Sequence, residues 1–453
     1  MDNQGEPITS KKMSTIAKQN VSHYLMFILF PAACLIFFAI DFQYPPLTDF
    51  VEWMYQSYIL RFILEGNEST LFFVKDYPVP YVFSQFSLAL LDKAFGTEPA
   101  GLIFVVSYFV AGILLCIAFV KRYSLDVRIA LPILLSVILC NSPFWNGYIN
   151  YQLGLLVLMA YLALPERQQL SAKITLTFGV LSFFTHGFAL IGFSIIAASK
   201  TLHDGKSTFL KFAVSMIPAG ILTVWYFLAR DPDVGPIVES TAPYLSWKFL
   251  LYKLYTLTKA GPYHNFIVGQ EGDFERHILL FSIGVLTNIL FTVVVGVLII
   301  LFVRNVLRNN STGDLLAVSA FLIGIVFAPA WGFSLANPGE RILYPMLLWI
   351  FAATLKSNVI RSRPVVLLLP VLVYGLLSVS VLSLVAAARP IEYSARSSAW
   401  GDDNQLGRRL YWHRPFQFNG RYVELIDASR NRREPNRPLA FNTSLLGYRS
   451  KKP

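Results

Sequence analysis

Charge is scarce in this chain. Of its 453 residues only 14% are charged and 55% are hydrophobic, whereas about a quarter of the residues in a typical soluble domain are charged. Apolar runs of about 20 residues, enough to cross roughly 30 Å of hydrocarbon, recur from Tyr24 to Leu384 and leave no stretch for a soluble core of ordinary size. The composition therefore predicts an all-α, polytopic membrane protein.

Two further scarcities narrow the functional classes. The chain has only three cysteines, all inside apolar segments and without metal-ligand spacing, so buried structural thiols are expected. It also lacks the GxxxxGK[ST] and GxGxxG patterns that bind nucleotide phosphates. We therefore expect no nucleotide cofactor and neither an ATP-driven nor a nicotinamide-dependent machine.

Several short loops between the apolar runs are basic, which indicates their side of the membrane because Lys and Arg in short loops stay on the cytoplasmic side. Loops such as the one that begins at Lys121 and Arg122 separate about eleven predicted spans. The spans cover residues 22–40, 101–120, 129–142, 151–164, 174–185, 187–199, 210–229, 278–302, 315–331, 342–355 and 365–387. The pattern predicts a cytoplasmic lead over 1–21 and a transmembrane domain over 22–388.

The apolar segment 79–95 decides on which side of the membrane all later loops lie. If it crossed the bilayer, Lys121 and Arg122 would lie outside, so we interpret it as a juxtamembrane helix on the outer face. The loops 41–100 and 230–277 are then extracytoplasmic, as is the tail 389–453. That tail carries 13 basic and 6 acidic residues, and at this location we expect an anionic glycan, a lipid headgroup or a partner protein, and no nucleic acid.

Acidic residues follow the first apolar run, in a loop that opens with Pro45-Pro46. Asp49 and Glu52 are three residues apart and would share one face of a short helix that begins after Thr48. A carboxylate at the water boundary suits a general base or a metal ligand. Equally, Asp49 could simply cap the helix, with Glu52 in its first turn.

A second group of polar residues lies at the outer ends of later spans. Amides and rings alternate from Trp145 to Gln152, including Asn146 and Asn150, and such groups can bind sugar hydroxyls and sugar faces. An aromatic belt with helix-capping amides explains the same pattern. His186, between two short spans, is either a hydrogen-bonded packing residue or part of a site.

Arg341 stands at the start of the tenth span, directly after Glu340. An arginine at the membrane surface can hold a phosphate through two parallel hydrogen bonds; the alternative is a simple ion pair with Glu340 that anchors the helix. The loop 230–277 adds His264 and several lysines, and it is typical of a lid that lies on the membrane.

These features together resemble the GT-C superfamily of multi-spanning glycosyltransferases. The resemblance extends over most of the chain to about residue 388 and rests on Pro46-Leu47-Thr48-Asp49 in the first outer loop and on the outer-face element that ends Lys93-Ala94-Phe95-Gly96. A following span that closes with Lys121-Arg122, the membrane His186 and the late Glu340-Arg341 complete it. Asp49 and Glu52 lack the spacing of the paired acids in some branches, which leaves substrate and metal dependence open.

The resemblance implies an enzyme that takes a sugar from a polyprenyl-phosphate donor and inverts its anomeric centre. Asp49, helped by Glu52, would deprotonate the acceptor hydroxyl or, in some branches, hold a divalent cation such as Mg²⁺ or Mn²⁺. Arg341 and Lys75 are the candidates for the donor phosphate. The candidates for sugar contacts are Trp145, Asn146, Asn150, His186, His264 and Glu340.

The expected partners are the bilayer, the lipid-linked donor and a glycan, lipid or protein acceptor, with other envelope polysaccharide-assembly proteins as further candidates. The expected location is a bacterial inner membrane. Two rival functions stay open: a noncatalytic subunit of a polysaccharide synthesis or export complex, and a transporter of a lipid-linked glycan. A transporter would place ionisable residues in the middle of its spans, whereas here they gather at the outer ends.

Overall fold

A computed structural model of the chain is mainly helical, which confirms the expected helical class. It describes residues 50–68, 72–124, 130–131, 134–139, 141–145, 147–230, 246–247, 249–250, 253, 293, 296–308, 312–328, 331–332, 335–336, 338–356 and 445–448. The predicted spans 22–40 and 365–387 and the lead 1–21 lie outside these residues, as does the tail 389–453 except for residues 445–448.

The described helices follow the apolar runs of the sequence. They are α1 (Phe50–Leu64), α2 (Val82–Phe95), α3 (Thr97–Arg122), α4 (Ser142–Trp145), α5 (Ile149–Ala163), α6 (Glu166–Gln169), α7 (Ala172–Thr185), α8 (Gly187–Asp204), α9 (Lys206–Ala229), α10 (Thr312–Phe327) and α11 (Pro338–Lys356). A π-helical turn spans Leu135–Leu139, and residues 296–308 are helical. Helices α5, α8 and α11 pack on one another and form the centre of the bundle.

Short strands depart from the purely helical expectation. The strands β1 (Phe72–Val74), β2 (Trp331–Gly332), β3 (Leu335–Ala336) and β4 (Leu446–Tyr448) form two antiparallel ribbons, β1 with β4 and β2 with β3. The predicted span 315–331 was therefore too long, since its helix ends at Phe327. Pro329 in the sequence gives the physical reason, because a proline disfavours helical geometry in the residue before it.

Two helical segments among the described residues are long and apolar enough to cross a membrane, Pro99–Arg122 and Lys206–Ala229, each of 24 residues. The second, which makes up α9, exposes one continuous apolar stripe. Its members recur every three or four residues, as expected for one face of a helix: Leu210, Val214, Ile217, Ile221, Val224 and Leu228.

Helix α2 is amphipathic, but its apolar side is exposed and its polar side is buried. Its exposed side chains include Phe83, Phe86 and Leu90, whereas the polar Gln85 and Asp92 are buried. Gln85 Nε2 donates a hydrogen bond to Gln56 Oε1 of α1 at 2.6 Å. The polar groups therefore face the neighbouring helix and the phenylalanines face outward.

The buried carboxylate of Asp92 joins three helices. Its Oδ2 lies 3.1 Å from Arg61 Nε of α1, and its Oδ1 accepts a 2.6 Å hydrogen bond from the Thr97 hydroxyl at the start of α3. Only Gly96 separates α2 from α3, and it has a φ of 87°, a conformation that suits glycine because it has no Cβ. The ion pair and the hydrogen bond therefore link α1, α2 and α3 at this corner.

The β1–β4 ribbon joins residues far apart in the sequence. Phe73 faces Gly447 and Val74 faces Leu446, and Lys75 N donates to Leu445 O at 2.9 Å. The side chain of Gln85 accepts a further bond from Leu445 N at 2.8 Å. The end of the tail is thus held against the first large loop by backbone and side-chain contacts.

A double-cysteine experiment tests this register. Opposed residues of an antiparallel pair have Cβ atoms about 4.5–5.5 Å apart, close to disulfide geometry, so Val74→Cys with Leu446→Cys should crosslink under mild oxidation. The matched control, Phe73→Cys with Leu446→Cys, is out of register by one residue and should not crosslink, because successive strand side chains point to opposite faces. Equal crosslinking of both pairs on a nonreducing gel would contradict the ribbon.

Candidate functional site

The first turn of α11 carries two buried charged residues, Glu340 and Arg341, both under 5% exposed. The helix begins at Pro338, a favoured first residue because proline lacks the N–H that would be unbonded there. The positive end of the helix dipole favours Glu340 and opposes the cation of Arg341. Burying that cation costs several kcal/mol unless neighbouring groups compensate.

Two tyrosines from the segment before and within α5 surround Arg341. The guanidinium carbon lies 4.4 Å from the ring centroid of Tyr148, a distance at which a cation–π contact contributes about 0.5–2 kcal/mol. The hydroxyl of Tyr151 donates a 2.8 Å hydrogen bond to the backbone carbonyl of Arg341. The Tyr151 ring also packs edge-on against Tyr344, one turn farther along α11.

His186 lies between α7 and α8 and is buried against the same tyrosines. Its ring centroid is 4.5 Å from that of Tyr81 and 5.0 Å from that of Tyr151. Its Nδ1 accepts a 3.1 Å hydrogen bond from Phe188 N and thereby caps α8. Burial, and then the charge of Arg341, lower the pKa of His186, so the ring is neutral and carries its proton on Nε2.

Tyr81 adopts a conformation that is rare for a residue with a side chain. Its φ is 75°, in the left-handed region, where non-glycine residues are uncommon and cost about 1–3 kcal/mol. The buried ring lies between Trp53 of α1, 6.2 Å away, and His186. Burial also raises the pKa of the Tyr81 phenol, which stays protonated and can donate a hydrogen bond.

A second buried cation, Lys253, approaches the start of α11 from the loop 230–277. It is 3% exposed, and a methyl group added at Gly339 would lie 3.5 Å from its Nζ and 2.9 Å from the carbonyl oxygen of Ile325. The missing Cβ at Gly339 therefore leaves room for the Ile325 carbonyl, whereas Lys253 lies at an ordinary contact distance. Burial lowers the pKa of Lys253 to about 8.

We call this group of seven residues the Arg341 cluster. Its members are Tyr81, Tyr148, Tyr151, His186, Lys253, Glu340 and Arg341. With His186 neutral, the two cations Lys253 and Arg341 exceed the one carboxylate of Glu340 by one charge. Buried cations at the N-terminus of a 19-residue helix favour an anionic ligand, since the backbone N–H groups and the helix dipole act in the same direction.

Several residues singled out in the sequence fall within or beside this cluster. Arg341, Glu340 and His186 belong to it. Asn150 is buried in the first turn of α5, where its Oδ1 accepts a 2.9 Å bond from Tyr151 N, the local helix-end role that the sequence left open. Lys75 lines a different cavity, beside β1.

The structure does not describe the side chains of the remaining candidates. Asp49, Asn146 and His264 lie outside the described residues, and of Glu52 and Trp145 only the backbone is described, in α1 and α4. Among the described residues no three His, Cys, Asp or Glu side chains form a potential metal site. The metal-ligand prediction for Asp49 thus stays a prediction.

Four members of the cluster were not selected from the sequence. Tyr148 and Tyr151 stand in the motif from which Trp145, Asn146 and Asn150 were selected, and nothing in the pattern distinguished these two rings as neighbours of Arg341. Tyr81 had no signal, because an unusual φ is not encoded by one residue type. Lys253 was one of several lysines in the lid, and its apolar neighbours were the local sign of burial, among them Phe249, whose ring centroid is 5.2 Å from its Nζ.

The pKa of Lys253 gives a testable pH dependence. As pH rises from 7 to 9 the lysine loses its charge, while a prenyl phosphate, whose second pKa is near 6, keeps a nearly constant one. Affinity for farnesyl phosphate should therefore fall about tenfold, the contribution of one charged hydrogen bond. Lys253→Arg should bind equally at both pH values. A wild-type profile as flat as that of Lys253→Arg would contradict a titrating lysine at this site.

Comparisons with other proteins give no relative for this arrangement: no family model, no curated protein and no solved structure matches the chain. Its function is therefore inferred from its own residues. The informative features are the buried cations at the start of α11 and the apolar faces that the helices expose.

Proposed function

We propose that this chain is a membrane glycosyltransferase of the GT-C type. It would transfer a sugar from a polyprenyl-phosphate donor to a glycan, lipid or protein acceptor on the extracytoplasmic face, with inversion. The observation that carries the proposal is the Arg341 cluster, in which two buried cations meet the N-terminus of α11. A lipid-linked donor presents its phosphate at the membrane interface, where a helix end can bind it.

The exposed surfaces support a location in a bilayer. The apolar stripe of α9 extends along a 24-residue helix, roughly 36 Å at 1.5 Å per residue, which matches the hydrocarbon thickness with some tilt. In water such a contiguous stripe would be a liability. We propose that α9 faces lipid and is one of about eleven spans in a bacterial inner membrane.

The inverted helix α2 supports an interfacial position for residues 82–95. With 14 residues it is roughly 21 Å long, too short to cross the bilayer alone. Its outward phenylalanines suit the boundary between headgroups and acyl chains, where amphipathic helices lie. This is the position that keeps Lys121 and Arg122 on the cytoplasmic side.

The β1–β4 ribbon supports the proposed topology, in which the first large loop and the tail lie on the same side of the membrane. Because the two strands are hydrogen-bonded partners, the loop 41–100 and the end of the tail lie on one side of any membrane that the chain crosses. The proposed topology, with a cytoplasmic N-terminus, places both of them outside. Ten of the eleven proposed spans lie between them, an even number, as that topology requires.

The reaction assigns separate tasks to Asp49, which acts on the acceptor, and to the buried cations, which act on the donor phosphate. Asp49 would take the proton of the acceptor hydroxyl as its oxygen attacks the anomeric carbon, and the bond from that carbon to the phosphate oxygen would break. The prenyl phosphate would leave with the electron pair. Arg341 and protonated Lys253 would stabilise the negative charge that develops on it.

Substitution of Arg341 tests the phosphate site. Arg341→Met should weaken binding of a fluorescent polyprenyl phosphate to the protein in nanodiscs by about 10–100-fold, and Arg341→Lys by less, because lysine keeps the charge but loses the planar fork. The matched control is Lys200→Met. That lysine also stacks on α11, 5.3 Å from the ring of Trp349, so its loss should leave the affinity unchanged.

Two outcomes would count against the phosphate site. Wild-type affinity in Arg341→Met would mean that the phosphate binds elsewhere. An equal loss in Lys200→Met would mean that both changes merely disturb α11.

Substitution of Asp49 separates an enzyme from a scaffold. Asp49→Asn should reduce glycan transfer by about 10²–10⁴-fold, the usual contribution of a general base, while donor binding persists. Asp41→Asn, in the same loop, is the control and should retain activity. Full glycan production by a correctly inserted Asp49→Asn protein would refute the catalytic role and favour a noncatalytic subunit.

A further inference from the structure

A second polar region lies beside the β1–β4 ribbon, apart from the residues of the Arg341 cluster. It is a cavity of about 440 Å³, within the usual range for small-molecule sites. We call it the ribbon cavity. Its lining residues are Phe73, Lys75, Asp76, Tyr77, Trp225, Ala229 and Gly447.

The chemistry of the lining indicates the ligand class. Trp225 presents an exposed ring that can hold the apolar face of a sugar. The ring of Tyr77 contacts the ammonium of Lys75, whose Nζ lies 5.5 Å from its centroid. Lys75 supplies donors and Asp76 supplies acceptors, the complement that a ring of hydroxyl groups needs. A phosphate fits less well, because Asp76 would repel it, so the arrangement favours a neutral sugar over the phosphate predicted for Lys75.

The position of the ribbon cavity relates it to the Arg341 cluster. Tyr77 lines the cavity and also packs against the small core that contains Val79 and Tyr226. Tyr226 follows Trp225 in α9 and shares that small core with Val79, two residues before Tyr81. The chain from Tyr77 to Tyr81 thus leads from the cavity to the ring that contacts His186.

We propose that the ribbon cavity binds a neutral sugar unit of a glycan acceptor, at a distance from the unit whose hydroxyl reacts. This rests on the proposed function, and it narrows the acceptor from glycan, lipid or protein to a glycan. The ribbon takes part directly, since β4 contributes Gly447 to the lining. The side chain of Phe73 lies over Gly447, so any larger residue at position 447 would displace the Phe73 ring.

Sugar binding can be measured without donor or turnover. Saturation-transfer NMR of the full chain in nanodiscs, with methyl glycosides of neutral hexoses as probes, should give a signal for the wild type. Trp225→Ala should reduce that signal at least fivefold, and so should Asp76→Asn. Both residues are exposed, so the fold should survive.

The matched control is Phe227→Ala, which removes a comparably exposed ring from the same helix outside the cavity and should leave the signal unchanged. No signal from the wild type, or equal signals from wild type, Trp225→Ala and Asp76→Asn, would overturn the inference. Displacement of the sugar by phosphatidylglycerol would also overturn it and assign the cavity to an anionic headgroup.

The readouts distinguish this inference from the proposed function. Polyprenyl phosphate binding should be the same in Trp225→Ala as in the wild type. If the sugar signal is absent while Arg341→Met still weakens phosphate binding, only the ribbon cavity is misassigned. If Arg341→Met leaves phosphate binding unchanged while Trp225→Ala still abolishes the sugar signal, the proposed donor site is wrong and the sugar site stands.

Discussion

The burial of the Arg341 guanidinium at the start of α11 is the constraint on which the candidate site depends. A cation there is opposed by the helix dipole and deprived of water. Its compensation comes from the adjacent Glu340 and the face of Tyr148, while the Tyr151 hydroxyl donates a hydrogen bond to the backbone carbonyl of the same residue. These contacts hold α5 against α11, and the Tyr151 ring in turn positions His186.

This constraint gives the cluster its chemical character. Holding buried cations in place before a ligand arrives lowers the cost of reorganisation when charge develops, which is how preorganised sites stabilise leaving groups. Lys253 adds a second buried cation beside the start of α11. The strained backbone of Tyr81 fits the same picture, because such strain persists only where the surroundings enforce it.

Much of the fold could be predicted because it depends on local pattern. Apolar runs indicated α3, α5, α7, α8, α9 and α11, and Gly96 and the proline before Gly339 mark helix boundaries. Long-range pairing has no such signal: nothing near Leu446 indicates that Phe72–Val74 is its partner. The sequence therefore predicted helices well and predicted neither ribbon.

The candidate site, like the fold, was only partly predictable from the sequence. Arg341 and Glu340 were recognisable, because charged residues at the mouth of an apolar span are costly and call for an explanation. Lys253 was not, since its burial depends on packing near the start of α11, far away in the sequence. Asn150 bonds its own helix, whereas Tyr148 contacts Arg341.

The central claim is that the first-loop carboxylate and the buried cations of α11 act on one substrate. The most direct measurement is a high-resolution cryo-electron microscopy map of the protein in nanodiscs with a polyprenyl-phosphate sugar bound. The account predicts phosphate density in contact with Arg341 and Lys253 at the start of α11, and the carboxylate of Asp49 within reach of the anomeric carbon. Phosphate density remote from α11, or an Asp49 that opens into a separate cavity, would contradict it.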